Sequence, residues 1–276
     1  MPEKPEVITV AKNLESRIIG KKITGCNIYW DNIIAYPTTT AFKEKIIGEV
    51  INNITTRGKF IVLTLDNYLL LIHLRMEGKF FFRNKGDEIT KHEHVELILD
   101  DSISFRYHDV RKFGKMYLLN KEEAYKVKPL SELGYEYNDP ILTSSYLLDK
   151  FKNKRLPIKT VLLDQSIITG IGNIYDDEIL FMSKINPYQK ANTLTKKNCE
   201  DIITNTKIVL DHAVELGGTT IKSFTSSEGV HGLFQNELLV HGKDKGKCPN
   251  CNTDIIKEKI NGRGTYYCPK CQKLKK

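Results

Sequence analysis

Four cysteines near the C-terminus fall into two pairs, Cys248-Pro-Asn-Cys251 and Cys268-Pro-Lys-Cys271, with sixteen residues between them. C-x2-C-x16-C-x2-C is the spacing of a four-cysteine zinc ribbon. Each pair makes a tight turn that aims two sulfurs at one ion, and two such turns on adjacent hairpins complete a tetrahedron. With every position filled by protein sulfur, the expected Zn2+ is structural and leaves no seat for water or substrate. Two disulfides from the same cysteines would need an oxidising compartment, and no apolar signal segment follows the Met-Pro-Glu opening. Cys26 and Cys199 lie far from the quartet and from each other, and read as small buried apolar residues.

The formal net charge is +8. Between Lys243 and Lys276 nine Lys and one Arg face Asp244, Asp254 and Glu258, a local +7 that is nearly the whole excess. A basic zinc ribbon has a natural partner in phosphate, because each phosphate it neutralises releases counterions. No apolar run approaches the ~18 residues that span a bilayer. The composition, 40% hydrophobic and 28% charged, is that of a soluble globular protein with room for two cores. Nothing in it demands an oligomer, so a cytoplasmic monomer is expected.

Val7, Val10, Leu14 and Ile18 recur at helical steps, which predicts a helix over Pro5–Ile19 stopped by Gly20. From Ile23 to Leu119 the period changes to that of strands, in runs such as Lys59–Leu65, Leu69–Leu74, Val95–Leu99 and Ile103–Tyr107. Many short strands beside one helix predict a β-sandwich or flattened barrel. A linker is expected near Leu119–Asp139 and a helical region over Ser144–Leu216. Within that region Leu162–Met182 reads as two helices joined by Thr169-Gly-Ile-Gly-Asn173. A Gly, Ser and Thr-rich stretch over Gly217–Gly232 reads as a mobile loop. The fold class is therefore α+β, with expected domains 1–132 (β-sandwich), 133–237 (helical, with a loop over 217–234) and 238–276 (zinc ribbon).

Four further constellations are capable of chemistry. Removal of Met1 would expose the secondary amine of Pro2, which attacks aldehyde-like carbon to form an iminium. Glu3 beside it is suited to shuttle protons. An attached Met1 would make that nitrogen a tertiary amide, which attacks nothing. Lys59, after Arg57-Gly58, is a candidate phosphate ligand or proton donor, although an ordinary turn lysine has the same letters. Gly170-Ile-Gly-Asn173 ahead of a helix forms a backbone seat for an anion. Asn261-Gly-Arg263-Gly projects a guanidinium suited to bidentate phosphate binding.

These motifs share one order and spacing. Pro2-Glu3, Arg57-Gly58-Lys59, His73-Leu-Arg-Met76, Asp109-Val-Arg111-Lys-Phe113-Gly114, Gly170-Ile-Gly-Asn173-Ile-Tyr175, Gly217-Gly-Thr-Thr220 and Arg263-Gly-Thr-Tyr-Tyr-Cys268 together span almost the whole chain. The chain resembles the bacterial formamidopyrimidine-DNA glycosylases, which remove 8-oxoguanine. The resemblance implies a helix-flanked β-sandwich, a helix–two-turn–helix module and a zinc ribbon, with double-stranded DNA carrying oxidised bases or abasic sites as partner and the bacterial nucleoid as the place of work. It implies that the Pro2 nitrogen attacks C1′, that Glu3 is the acid/base, that Lys59 donates a proton near the lesion phosphate, and that Arg263 grips the lesion phosphates.

By the same resemblance Met76, Arg111 and Phe113 fill the hole left by the flipped nucleotide, with Arg111 reading the orphaned cytosine. Without it, Met76 and Phe113 read as strand core. His73, His92, Arg155 and Asn173 are expected to contact the DNA backbone. The 217–234 loop would cover the extruded base through backbone amides around Ile221 to Phe224, with Lys222 and Glu228 unassigned. Two other readings compete: an endonuclease VIII-like glycosylase for oxidised pyrimidines, and a damage-binding protein without catalysis. Pure binding needs neither an N-terminal amine nor a carboxylate facing anionic DNA.

Overall fold

The helical period at the N-terminus becomes helix α1 (Lys4–Ile18), which buries Val7, Val10, Leu14 and Ile18. In the computed structural model, residues 1–219 and 232–275 are described. The chain divides into two units, Met1–Ser131 with Gly217–Gly232, and Glu132–Leu216 with Leu233–Lys276. The expected Ile221–Phe224 amides, Lys222 and Glu228 lie outside the described residues.

In the first unit α1 is followed by β1 (Ile23–Ile28), β2 (Ile34–Tyr36), α2 (Thr39–Ile46), β3 (Asn53–Arg57), β4 (Phe60–Thr64), β5 (Tyr68–His73), β6 (Lys79–Asn84), β7 (Glu93–Leu99), β8 (Ile103–His108) and β9 (Lys115–Asn120). A four-stranded sheet runs β1-β7-β8-β6 and a five-stranded sheet runs β2-β9-β5-β4-β3. Every pairing is antiparallel except β2 with β9. One core takes Leu63, Leu70, Ile72 and Leu118 from the second sheet, Val95, Leu97 and Phe105 from the first, and the apolar stripe of α1. This is the expected β-sandwich.

The sequence reading had one helix beside the strands; the structure adds α2. Thr38 caps it by accepting from Ala41 N, and Phe42 and Ile46, four apart, are its buried residues. Eight residues with two apolar contacts are too short a repeat for periodicity to reveal.

The second unit contains β10 (Tyr135–Glu136), α3 (Ser144–Phe151), α4 (Ile158–Leu162), β11 (Ile168–Thr169), α5 (Asn173–Met182), α6 (Lys196–Glu215), β12 (Ile256–Ile260) and β13 (Arg263–Tyr267). The two-helix reading of Leu162–Met182 is corrected: α4 ends where that segment begins, β11 pairs parallel with β10, and only α5 lies inside it. The Gly-Ile-Gly-Asn run leads directly into α5, with Gly172 as its N-cap.

Two loops of the first unit meet at one side chain. Tyr107 on β8 is 1% exposed, and a Cβ at Gly78 or at Gly114 would overlap its hydroxyl. Both glycines are therefore required by close approach. Gly114→Ala is expected to destabilise the protein by about 1–3 kcal/mol through overpacking, read by urea denaturation. An unchanged midpoint would contradict the packing described.

Candidate active site and nucleic-acid interface

The N-terminus is held by a reciprocal capping box. Glu3 N donates to Glu6 Oε2 at 2.8 Å, and the Glu3 carboxylate accepts from the Glu6 backbone in return. Lys4 Nζ donates to Thr56 Oγ1 at 3.0 Å and to Thr56 O at 3.3 Å, which ties the first helical turn to β3. Pro2, Glu3 and Lys4 are all buried. Met1 is attached to Pro2 here, so the free amine belongs to Met1. Burial lowers its pKa, Glu3 and Glu6 pull the other way, and Lys59 and Arg111 lower it further. The chain terminus thus sits in the field of four of this unit's charged residues.

Lys59 is the second residue of the tight turn between β3 and β4, after Gly58 at φ +54°. Only 6% of Lys59 is exposed, so the ordinary-turn-lysine alternative fails: the side chain is drawn inward. His73 ends β5 and is buried; its Nδ1 accepts from Arg75 N at 3.0 Å. Burial first, then the nearby Arg75 and Lys59, lower its pKa to about 3. The ring is therefore neutral, with Nε2–H left as the donor, the form that serves a phosphate oxygen without adding charge.

Met76 lies half-buried in the turn after β5, and Phe113 is 50% exposed in the loop between β8 and β9. Neither sits on a strand, so the strand-core reading of both is overturned. Arg111 is exposed, with its guanidinium 4.8 Å from the Phe113 ring centre. The loop hangs from Asp109, which is fully buried. Asp109 Oδ1 accepts from Arg111 N at 3.0 Å, and Oδ2 from Phe113 N at 2.9 Å and Gly114 N at 2.8 Å. One carboxylate gathers three backbone donors and turns Val110 to Phe113 outward. His94 Nε2 lies 2.8 Å from Asp109 O and secures the root. His92, expected at the backbone of DNA, is half-buried, and its ring packs edge-on to His108 at 5.6 Å.

Sequence reasoning missed Glu6. Its second oxygen, Oε1, accepts from Thr219 N at 2.7 Å and from Thr219 Oγ1 at 3.0 Å. One buried carboxylate thus joins the Glu3 backbone to the start of the 217–232 segment. The ends of that segment also meet: a Cβ on Gly232 would overlap the Gly218 backbone. Only the Glu three residues after the N-cap hinted at this role, and a capping box alone explains such a Glu.

In the second unit Arg155 is exposed between α3 and α4. Asn173 begins α5, and its Nδ2 donates to Gly264 O at 2.8 Å, so here it braces the zinc hairpin beside Arg263. The hairpin tip is Asn261-Gly262, both at positive φ (+46° and +77°), as a two-residue hairpin turn requires. Arg263 is exposed as the first residue of β13. Asp177 and Glu178 do not serve the first turn of α5. Asp177 pairs with the buried Lys159 at 2.6 Å and with His241 Nδ1 at 2.7 Å. Glu178 takes the backbone N–H groups of Leu239, Val240 and His241. These carboxylates fasten the segment leading to the finger onto α5.

The four finger cysteines bring their sulfurs within 4.8 Å of one another. Cys248 and Cys271 are 3.7 Å apart and Cys251 and Cys268 3.5 Å. A tetrahedron with ~2.3 Å metal–sulfur bonds has edges of about 3.8 Å. The thiols differ: burial and then the neighbouring cysteines push Cys271 up to about 12, whereas hydrogen bonds with Thr253 bring Cys251 down to about 6. Cys26 and Cys199 are buried, free and pushed up to about 12 and about 11 by desolvation, which suits inert apolar packing.

The N-terminal domain model of formamidopyrimidine-DNA glycosylase matches residues 1–116, its H2TH domain model residues 133–225, and a zinc finger found in FPG and IleRS residues 245–274. The formamidopyrimidine-DNA glycosylase of Bacillus subtilis is 42% identical over 276 residues, covering 100% of both chains. The chain belongs to the formamidopyrimidine-DNA glycosylase family. Solved structures agree. The Lactococcus lactis Fpg in complex with abasic-site DNA superposes with a TM-score of 0.91 at 33% identity, over 98% of this chain and 99% of that one. MutM in complex with DNA containing carbocyclic 8-oxo-G gives 0.90 at 34%, over 99% and 100%.

The cysteine cluster of this family member is a structural zinc site, held by Cys248, Cys251, Cys268 and Cys271. Cys248 and Cys268 form a small core with Phe181 of α5, Val240 and Ile255. Metal loss would therefore loosen the hairpin that carries Arg263. Cys268→Ser is expected to lose zinc and lesion-DNA affinity together, read by metal analysis and a binding titration. Full affinity in a zinc-free variant would show the ribbon to be dispensable.

Proposed function

We propose that the Pro2 nitrogen, freed by removal of Met1, is the nucleophile of a bifunctional DNA glycosylase and AP lyase of base excision repair. Its substrates are oxidised purines, 8-oxoguanine and formamidopyrimidines, in the duplex DNA of a bacterial cell. The observation that carries the residue assignments is Pro2, buried ahead of α1, with the chain's terminal amine in the field of Glu3, Glu6, Lys59 and Arg111.

The target carbon is stacked inside the duplex, so the nucleotide must first be extruded. Met76, Arg111 and Phe113 fill the space it leaves. Arg111, poised over Phe113, donates to the orphaned cytosine, while Arg155, the α5 N-terminus at Asn173 and Arg263 hold phosphates. Glu3 assists opening of the sugar and Lys59 supplies a proton near the lesion. The Pro2 nitrogen bonds to C1′, and the base departs with its bonding electrons and the proton the amine gives up; the C1′–O4′ bond then breaks as Glu3 protonates O4′, and the nitrogen lone pair makes the C1′ iminium of the opened sugar. The resulting iminium acidifies C2′–H; loss of that proton expels the 3′ phosphate oxygen. A second elimination, assisted by Arg263, expels the 5′ phosphate and leaves a gapped strand.

Two results test this reading. Borohydride reduction is expected to trap the enzyme on DNA with 8-oxoguanine opposite cytosine more strongly than on dihydrouracil DNA. The reverse preference would move the chain toward the pyrimidine-directed alternative, and no adduct on either would leave a binder. Burial and the Lys59 charge both lower the pKa of the terminal amine, here that of Met1, and the same field would act on the Pro2 amine once Met1 is removed. Removing that positive charge raises the pKa. In Lys59→Met, trapping on a preformed abasic site should therefore fail at higher pH as acid is added. An unmoved acid limb would separate Lys59 from the amine.

A further inference from the structure

Arg111 stands on a loop whose backbone is gathered by Asp109, through the N–H groups of Arg111, Lys112, Phe113 and Gly114, and whose side chains at the tip point outward. Asp109 and His94 fix the root. At the tip, between Arg111 and Phe113, Lys112 adopts φ +57°, a left-handed conformation uncommon for a side-chain-bearing residue. Its ammonium lies 3.9 Å from the ring centre of Trp30, close enough for a cation–π attraction. Trp30 does not depend on the loop for its own place. The next turn, Asp31–Ile33, leads into β2, which pairs with β9 through Ile34 and Met116. Lys115 Nζ also donates to Asn32 O.

We infer that Trp30 is a positioning residue for recognition of the opposite base: its indole face holds Lys112, and Lys112 fixes the turn that aims Arg111 and Phe113. This rests on Arg111 being the reader of the orphaned base. Phe113 and Val110 are 50% and 51% exposed, so the side chains at the tip have little packing of their own to hold them. The Trp30 ring, carried on the segment between β1 and β2, supplies the contact that these side chains lack. The apolar ring and the lysine stem cover one another while the ammonium stays at the surface.

The test measures kcat/KM for 8-oxoguanine opposite cytosine and opposite adenine in Trp30→Leu, Lys112→Met, the double variant, Trp30→Phe and Arg111→Ala, with melting temperatures alongside. An exposed cation–π contact has a value that corresponds to about a two- to fivefold loss of the cytosine-over-adenine ratio in each single variant. The double variant should lose no more than either single one, because one interaction is removed once. Trp30→Phe, which keeps a ring face, should recover most of the ratio. A change in KM or stability with an unchanged ratio would overturn the proposal and leave Trp30 as packing. If Arg111→Ala also leaves the ratio unchanged, the reading of Arg111 fails instead. Trp30 is the single tryptophan of the chain, which gives a second readout in the unmodified ring. Its emission should shift when lesion DNA binds, and the shift should shrink in Lys112→Met; equal shifts in both proteins would count against the coupling.

Discussion

The end of a chain has one covalent tether, so everything else about its position must come from non-covalent contacts. Here the contacts concentrate in the first turn of α1. Glu3 and Glu6 cap each other's backbone, Lys4 reaches Thr56, and Val7 and Val10 enter the sandwich core one and two turns later. The same Thr56 stands three residues before Lys59, so the tie that immobilises the terminus also sets the turn that turns the lysine inward. Orienting reacting groups in advance is a large part of what an enzyme contributes to rate. In this chain that orientation is built from helix capping and strand pairing.

The other functional segments follow one physical pattern. Each irregular loop is suspended from a buried carboxylate that collects backbone N–H groups: Asp109 for the loop of Arg111 and Phe113, Glu6 for the start of the 217–232 segment, Glu178 for the approach to the zinc finger. A buried carboxylate is costly unless its oxygens are filled. Bringing the loop amides to it satisfies both partners and gives the loop one shape. The exposed side chains that these loops carry are thereby mounted on rigid supports.

Much of this was legible in the sequence. The apolar period of α1 and the strand runs predicted the sandwich because one face of each element must be buried. The cysteine spacing predicted the metal site because four sulfurs need two tight turns. The catalytic candidates became legible only as an ordered set: Met76 and Phe113 are apolar letters whose placement in turns no period reveals. Glu6, Asp109 and Trp30 were not legible as supports at all, since their partners lie 213, up to 5 and 82 residues away and become partners only once the sheets have formed. The two helices read into Leu162–Met182 failed for a related reason: the segment before the Gly-Ile-Gly-Asn run forms the short strand β11, whose pairing with β10 is not written in its own period.

The central claim is that the terminal nitrogen of Pro2 does the chemistry. Reducing the enzyme–DNA complex on 8-oxoguanine duplex with borohydride, digesting it, and locating the nucleotide adduct by peptide mass spectrometry tests that claim most directly. The account predicts the adduct on a peptide that begins at Pro2, with Met1 gone. An adduct on Lys59 or another lysine, or on a peptide that retains Met1, would contradict it.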